Sequence, residues 1–465
     1  MIDADVIVIG AGAAGLVAAA RSAAGGARTM LLEKNRKAGV KILMSGGTRC
    51  NLTHDCDAAG IIEGFGKNGR FLRQALGELG PRETVAMFHA LGVATKVEET
   101  GKIFPAADSA VVVRDGLVDQ AVASGVQIEL GRSVHGLRVD GSGGFFEVIT
   151  AAGTCRAAAV IVTVGGKSWP ECGTCGDGYG WLAGLGHTIR TPRPALVPLT
   201  GGVPWMRELS GLTLPRVEVG VWWAAKTASG SPPPPRWSKH PVERRTSGFL
   251  FTHFGFSGPA VMDVSRGVTA AADDREVRVL ADFLPDLSRD EISAALEGAR
   301  RARGGQHLVT LLSQWLPRRL AEGIVGCGSG HEGRERQERE LPNSARQDSE
   351  LRGHNPGLSL GELPIAEVRR DQMERVLQRL KGCPLEVTGT RGFAKAEVTA
   401  GGVDLAEVDP RTMASRKHAG LFIAGEILDL DGWIGGYNFQ AAFSTGHVAG
   451  VSAGRFVRER SAAGG

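Results

Sequence analysis

Three glycines, Gly10, Gly12 and Gly15, directly follow the apolar run Val6-Ile7-Val8-Ile9, and an acid, Glu33, closes a second apolar run, Met30-Leu31-Leu32. Only glycine lets the backbone turn this sharply and approach a pyrophosphate, whose charge then rests on the amides that open the next helix. Glu33 stands 18 residues beyond Gly15. At that distance a carboxylate accepts hydrogen bonds from the ribose of an adenine nucleotide. A lone G-x-G-x-x-G is weak evidence. Strand, alanine-rich helix, second strand and acid together specify a dinucleotide site.

A second glycine cluster lies near the other end of the chain. Residues 420–426 read GLFIAGE, an apolar strand ending in Gly425 and followed by Glu426. Gly435-Gly436 then opens a small-residue helix from Gln440 to Gly450, with Tyr437 and Asn438 in the turn. A helix start of this kind stabilises negative charge on N1 and the C2 carbonyl of a reduced flavin, and Asp431 suits a ribityl hydroxyl. NAD does not need this second cradle, so FAD is the expected tightly bound cofactor. Lys34, beside Glu33, and Gly165, in the strand-to-turn transition Gly165-Gly166, are assigned to the same cofactor set.

These residues need elements to position them. The 465 residues suffice for two or three domains. Helical patterning runs from about Phe71 to Leu91, and strands are expected over Val126–Leu130, Phe145–Thr150 and Ala159–Val164. Thr191-Pro-Arg-Pro194 marks a domain exit. Strands are then expected at Val217–Trp223, Gly248–Thr252 and Glu276–Leu280, and the proline run 231–236 reads as an exposed hairpin loop. From about Arg289 to Leu380 the pattern is helical, with Leu308, Leu311, Leu312 and Trp315 on one face. Residues 326–353 are charged and poor in large apolar side chains, as in a mobile insertion.

Net charge is +4, from 54 Lys and Arg against 50 Asp and Glu, too flat for a clustered nucleic-acid face. Seven cysteines form no regular framework, which points to reduced thiols and a cytoplasmic protein. The apolar N-terminus carries Asp3 and Asp5 and is read as the dinucleotide strand, neither leader nor membrane span.

The segments KILMSGGTRCNLTH (41–54), GDGYGWLAGLGHTI (176–189), LFTHFGFSGPAVMDVS (250–265), AEVTAGGVDLAEVDPRTM (396–413) and GLFIAGEILDLDGWIGGYNFQAAFSTG (420–446) resemble a bacterial family of NAD(P)/FAD-dependent oxidoreductases. That family includes bile-acid ene reductases and aminoacetone-oxidase-like enzymes. The resemblance covers nearly the whole chain. It implies an α/β fold: a Rossmann-like FAD-binding domain interrupted by an inserted β-rich domain and a helical domain. The corresponding bounds are 1–194 for the first part of the FAD domain, 195–285 for the β-rich domain, 286–384 for the helical domain and 385–465 for the completion.

By the same resemblance, Gly10, Gly12, Ala13, Ala14 and Gly15 hold the pyrophosphate and Glu33 the ribose. Lys41, Ser45, Gly46, Gly47, Arg49, Cys50 and Asn51 form a loop along pyrophosphate and flavin. Val134 meets adenine through its backbone. Gly425, Glu426, Asp431, Gly436, Tyr437 and Asn438 hold the ribityl chain and flavin ring. Two departures stand out: Thr48 replaces a common third glycine, and Trp433-Ile434 is bulkier than usual before the Gly435-Gly436 turn.

Other motifs have plainer readings. Cys172-Gly-Thr-Cys175 has redox-pair spacing but lacks the helix start that activates such thiols. A metal site from Cys172, Cys175 and His187 lacks a fourth ligand. Residues 328–333 match a nucleotide fingerprint as text but follow no strand. His253, His418 and His447 are possible proton donors more simply read as packed side chains, and Trp205, Trp222 and Trp223 line either a pocket or a core. No catalytic acid or base stands out.

The expected function is an FAD-dependent oxidoreductase exchanging hydride between flavin N5 and a small organic substrate, with NADH or NADPH docking transiently as donor. Two alternatives stay open. One is an amine-type oxidase using oxygen, and the other is a non-catalytic FAD-containing RNA-binding or scaffold protein. A small-molecule substrate, with no nucleic-acid or membrane partner, is the expected association.

Overall fold

A computed structural model describes residues 2–141, 144–226, 236–271, 275–326 and 360–463. Within the expected insertion over 326–353, only Gly326 is among the described residues. The fingerprint at 328–333 and all of the proline run except Arg236 also lie outside them. The chain forms two compact units, Met1–Val197 with Arg391–Gly465, and Pro198–Thr390.

In the first unit, strand Ala4–Ile9 pairs in parallel with Thr29–Glu33 on one side and Gly153–Val162 on the other. Gln127–Leu130 extends the sheet beyond Thr29–Glu33, and Leu421–Ile423 joins in parallel beside Gly153–Val162. Both chain ends therefore build one sheet. Val6, Ile7 and Val8 are wholly buried, as expected of a parallel strand covered on both faces. Helix Ala13–Ala24 packs on the long helix Tyr437–Ala463. A Cβ at Gly446 would lie 2.4 Å from the Ala14 carbonyl oxygen, and one at Gly450 would lie 2.3 Å from that of Ala18. Only bare backbone permits this approach.

Two expectations for this unit need correction. The helical stretch 71–91 is broken into a 3-10 turn at Gly66–Leu72 and helices Arg73–Glu78 and Pro81–Ala90. Pro81 can open a helix but cannot continue one. The prolines at 192 and 194 lie within strand Ile189–Ala195, which pairs antiparallel with Val398–Val403 through an irregular register. A two-stranded sheet has open edges where a missing N–H is tolerated. The chain leaves this unit after Val197.

The second unit carries a seven-stranded antiparallel sheet that includes Thr213–Ala225, Glu243–Thr252 and Arg275–Asp282. Its helices include Arg289–Ala302, Arg318–Gly326 and Arg370–Gly382. Val219, Val221, Phe249 and Phe251 share one core with Leu308, Leu312, Leu320 and Leu380. The stretches expected as separate β-rich (195–285) and helical (286–384) domains thus merge into one unit. Each has a single apolar face, and each buries it against the other. Among the described residues, no helix is long and apolar enough to cross a membrane.

Candidate cofactor site

The three N-terminal glycines do three different things. Gly10 adopts φ +100°, and a Cβ there would meet the Thr163 carbonyl oxygen at 2.8 Å. At Gly15 a Cβ would stand 1.8 Å from the Gly10 carbonyl oxygen, so glycine is needed for close helix–strand packing. Gly12 differs: its backbone is extended, and a Cβ there meets nothing within 4 Å. That open space faces the start of helix Ala13–Ala24, which no side chain caps. Amides of a first helical turn lack partners inside the helix, and the dipole favours an anion at that end.

Buried Glu33 accepts hydrogen bonds from the Ala11 amide at 2.8 Å and the Asn35 amide at 2.8 Å. Gly131 and Arg132 donate backbone hydrogen bonds to Asn35 and Glu33. They bring the segment leading into half-buried Val134 beside that carboxylate. Lys34 forms an ion pair with Asp177 at 2.6 Å.

The C-terminal glycines meet this cradle directly. Gly425 has φ +81°, and its Cβ would lie 2.9 Å from Ala14 Cβ. Gly436, at φ +94°, lies against Thr53, whose backbone a Cβ would meet at 2.5 Å. With its amide oriented to satisfy both ends, Asn51 donates to Thr53 and Ile103 carbonyls and accepts from the Gly436 amide at 3.2 Å. His54 Nδ1 lies 3.1 Å from the Gly435 carbonyl oxygen, and its ring centroid is 5.0 Å from that of Tyr437. Asn438 closes its own turn, accepting from the Gly432 amide at 2.8 Å and donating to the Gly432 carbonyl at 3.0 Å. Asp431 is half-buried. The expected loop 41–51 is corrected in part: Lys41 lies on the short helix Val40–Met44 and only the stretch after Met44 is loop, which forms one wall with the turn 432–438.

Within that loop Gly46, Gly47, Thr48 and Cys50 all have positive φ, between 55° and 69°. Ser45 ties the loop back by donating to the Ile42 carbonyl at 2.7 Å. Arg49 is anchored by Glu98 at 2.6 Å and lies over the Phe104 ring at 4.1 Å. A β-branched threonine in the left-handed region is strained. Thr48→Gly is expected to stabilise the fold by about 1 kcal/mol, read from the denaturant midpoint at constant m. Burial pushes the Cys50 thiol up to about 12, against a hydrogen bond with Ser45. Alkylation by iodoacetamide, followed by peptide mass spectrometry, is expected to label exposed Cys175 and spare buried Cys50 until denaturant is added.

Sequence reasoning did not anticipate the polar cluster beside this wall. Lys41 Nζ donates to Ser168 Oγ at 2.6 Å and to Glu426 Oε2. Glu426 Oε1 accepts from Ser168 Oγ at 2.6 Å and from the Thr399 amide at 3.0 Å. The Lys167 and Ser168 amides donate to Thr399 Oγ1. Gly166 makes room for this cluster, since a Cβ there would stand 2.3 Å from Thr399 Oγ1. Gly165 has φ +74° and packs on Thr174. Burial pushes the Glu397 carboxyl above the ordinary carboxylate range, opposed by the charge of Lys41. The Gly165-Gly166 and Gly401-Gly402 turns were the available signals for this neighbourhood.

The remaining motifs resolve as packing. Cys172 is buried and Cys175 exposed, both as free thiols. His187 is held by Glu407 at 3.1 Å and Ser415 at 2.9 Å, so its imidazole serves that contact. His418 Nε2 lies 2.8 Å from the Leu185 carbonyl oxygen. Burial, assisted by Arg21, pushes His447 down. Trp223 donates to the Gly267 carbonyl at 2.8 Å, while the Trp205 and Trp222 rings pack over Gly323 and Gly220.

The open space at Gly12, the uncapped helix start and the pinned Glu33 carboxylate fit an adenine dinucleotide. The second glycine turn supplies the further wall that a flavin requires and NAD does not.

Comparison with known proteins agrees. The HI0933-like protein Rossmann domain matches residues 4–452. A ribosomal RNA dihydrouridine synthase of Escherichia coli is 31% identical over 444 residues, covering 95% of this chain and 96% of that protein. A 3-dehydro-bile acid delta(4,6)-reductase of Clostridium scindens is 30% identical over 450 residues, covering 96% and 98%. The solved 3-ketosteroid-delta4-(5alpha)-dehydrogenase from Rhodococcus jostii is similar over 98% of each chain, at 14% identity and a TM-score of 0.48. The chain therefore belongs to the HI0933-like family of FAD-binding Rossmann oxidoreductases.

Proposed function

We propose that this protein reduces a carbon–carbon double bond conjugated to a carbonyl, using electrons from NADH or NADPH. The observation that carries this reading is chemical. The two relatives near 30% identity are named for a dihydrouridine synthase and a delta(4,6)-reductase, and both names denote saturation of such a bond. When bound, FAD supplies a hydride from N5 and accepts one from a donor. The chain's own part is to hold and orient. Gly12–Gly15 and Glu33 would bind the diphosphate and ribose, and the wall from Asn51 to Tyr437 would position the ring. The N-terminal dipole of the helix starting at Tyr437 favours negative charge there.

Anaerobic mixing tests this reading. NADPH or NADH is expected to bleach the bound flavin, and 2-cyclohexenone to restore its colour faster than oxygen does. Recolouring by oxygen alone, with peroxide released, would support the oxidase reading instead.

A second reading places the reducible bond in a uracil of RNA. It is favoured by the E. coli relative and by two arginine–tryptophan stacks on the second unit's sheet. Arg278 lies 4.5 Å from the Trp237 ring and Arg275 lies 4.5 Å from Trp223. Bases also stack on such surfaces. New dihydrouridine in RNA incubated with the reduced protein, read by mass spectrometry, would support it.

A further inference from the structure

We propose that Lys102 is the cation that holds the carbonyl oxygen of the conjugated substrate beside the flavin turn. This inference rests on the reductase reading above and names a residue that touches the substrate.

The geometry starts from two short strands. Thr53–His54 pairs antiparallel with Lys102–Pro105, and His54 stands opposite Lys102 in the register. Side chains of directly opposed residues lie on one face of such a ribbon. That face meets Gly435, which has φ +118°. A Cβ there would stand 3.4 Å from His54 Nδ1 and 3.7 Å from both Cγ and Cε of Lys102. The Lys102 stem thus lies along the turn that opens the helix from Tyr437, on the wall assigned to the flavin ring. Its backbone is fixed there: the Glu98 amide donates to the Lys102 carbonyl at 2.9 Å, and the Gly101 amide to that of Glu98 at 2.8 Å.

The head group singles this residue out. Lys102 is half-buried. Lys34, Lys41, Lys96 and Lys381 are half-buried too, and each has a carboxylate partner. Lys167 lies over the Phe393 ring at 5.2 Å. Among the described residues, the Lys102 ammonium has no ion pair, hydrogen bond or aromatic ring to itself. Glu98, in the same turn, is taken by Arg49 at 2.6 Å. A partly desolvated charge without a partner is costly, and on this wall an oxygen of a bound ligand would meet it.

The helix start answers negative charge on the flavin itself. The further demand for positive charge comes from the substrate. Hydride brings two electrons to the carbon remote from the carbonyl and forms a C–H bond there. The electron pair of the double bond moves next to the carbonyl carbon, and the C=O pair moves onto oxygen. Lys102 holds that oxyanion by a charge-assisted hydrogen bond and keeps its own proton. The carbon beside the carbonyl then takes a proton from solvent, which restores C=O.

Lys102→Met keeps the stem and removes the charge. It is expected to retain one FAD per chain and the midpoint potential of wild type. A first readout needs no turnover and uses 4-nitrophenol, whose anion is a planar oxyanion. Oxidised wild-type holoprotein should bind it as the phenolate, seen in difference spectra at a pH where the free phenol is un-ionised. Lys102→Met should weaken that binding by about 10-fold, the loss of one charge-assisted hydrogen bond, and Lys102→Arg should recover most of it. In the second readout, reoxidation of the dithionite-reduced variant by 2-cyclohexenone should slow by about 100-fold.

If Lys102→Met matches wild type in phenolate binding and in reoxidation, Lys102 does not hold the oxygen. A changed midpoint potential with unchanged phenolate binding would assign the cation to the flavin and overturn the inference as well. If wild-type flavin is recoloured by no conjugated carbonyl, the reductase reading itself fails, while phenolate binding still reports whether Lys102 holds an oxyanion.

Discussion

Gly12→Val is expected to weaken FAD binding by at least about 100-fold, roughly 2.7 kcal/mol, while leaving the apoprotein as stable as wild type. The reason is local. Gly12 has an ordinary extended backbone that valine can adopt, and among the described residues nothing beyond its chain neighbours lies within 4 Å of the added Cβ. The new side chain would occupy only the space assigned to the diphosphate. Gly15→Ala is the contrasting control, because its methyl would collide with the Gly10 carbonyl at 1.8 Å. It should destabilise the fold itself by about 3 kcal/mol. Thermal unfolding without cofactor, followed by FAD titration, separates the two effects. Equal loss of stability in both variants would contradict a ligand space at Gly12.

The second large effect concerns Lys41. Replacing it with methionine should cost about 2 kcal/mol of stability, because Glu426 would keep its charge with only Ser168 and the Thr399 amide as partners. The side chains of Lys41 and Glu426 are 25% and 19% exposed, so residual hydration holds the cost below that of a fully buried pair. Glu426→Gln removes the orphaned charge. The double variant Lys41→Met, Glu426→Gln is therefore expected to be more stable than the sum of its single losses by about 1 kcal/mol. Strict additivity in denaturant unfolding would show that the pair does not interact.

Steric demands were legible in the sequence, and long-range polar contacts were not. Gly10 and Gly15 announce themselves because few folds tolerate bare backbone at that spacing. Gly425 and Gly436 repeat the signal near the C-terminus. The cluster around Lys41 is different in kind. Lys41 and Glu426 are separated by 385 positions, Lys41 and Ser168 by 127, and no periodicity links them. Asn438 was assigned to the flavin from its motif, yet its amide closes the Gly432 turn, a hydrogen-bonding choice that spacing cannot reveal. The fusion of strand-rich and helical stretches into one unit was hidden similarly. Two one-sided apolar patterns do not say which surfaces they will cover.

The central claim is that both ends of the chain clasp a single flavin adenine dinucleotide. The most direct measurement is the absorption spectrum of gel-filtered native protein, followed by chromatographic identification of whatever acid releases. One FAD per chain, with flavin bands that disappear in Gly12→Val, is the expected result. A colourless protein that stays colourless after incubation with excess FAD would contradict it.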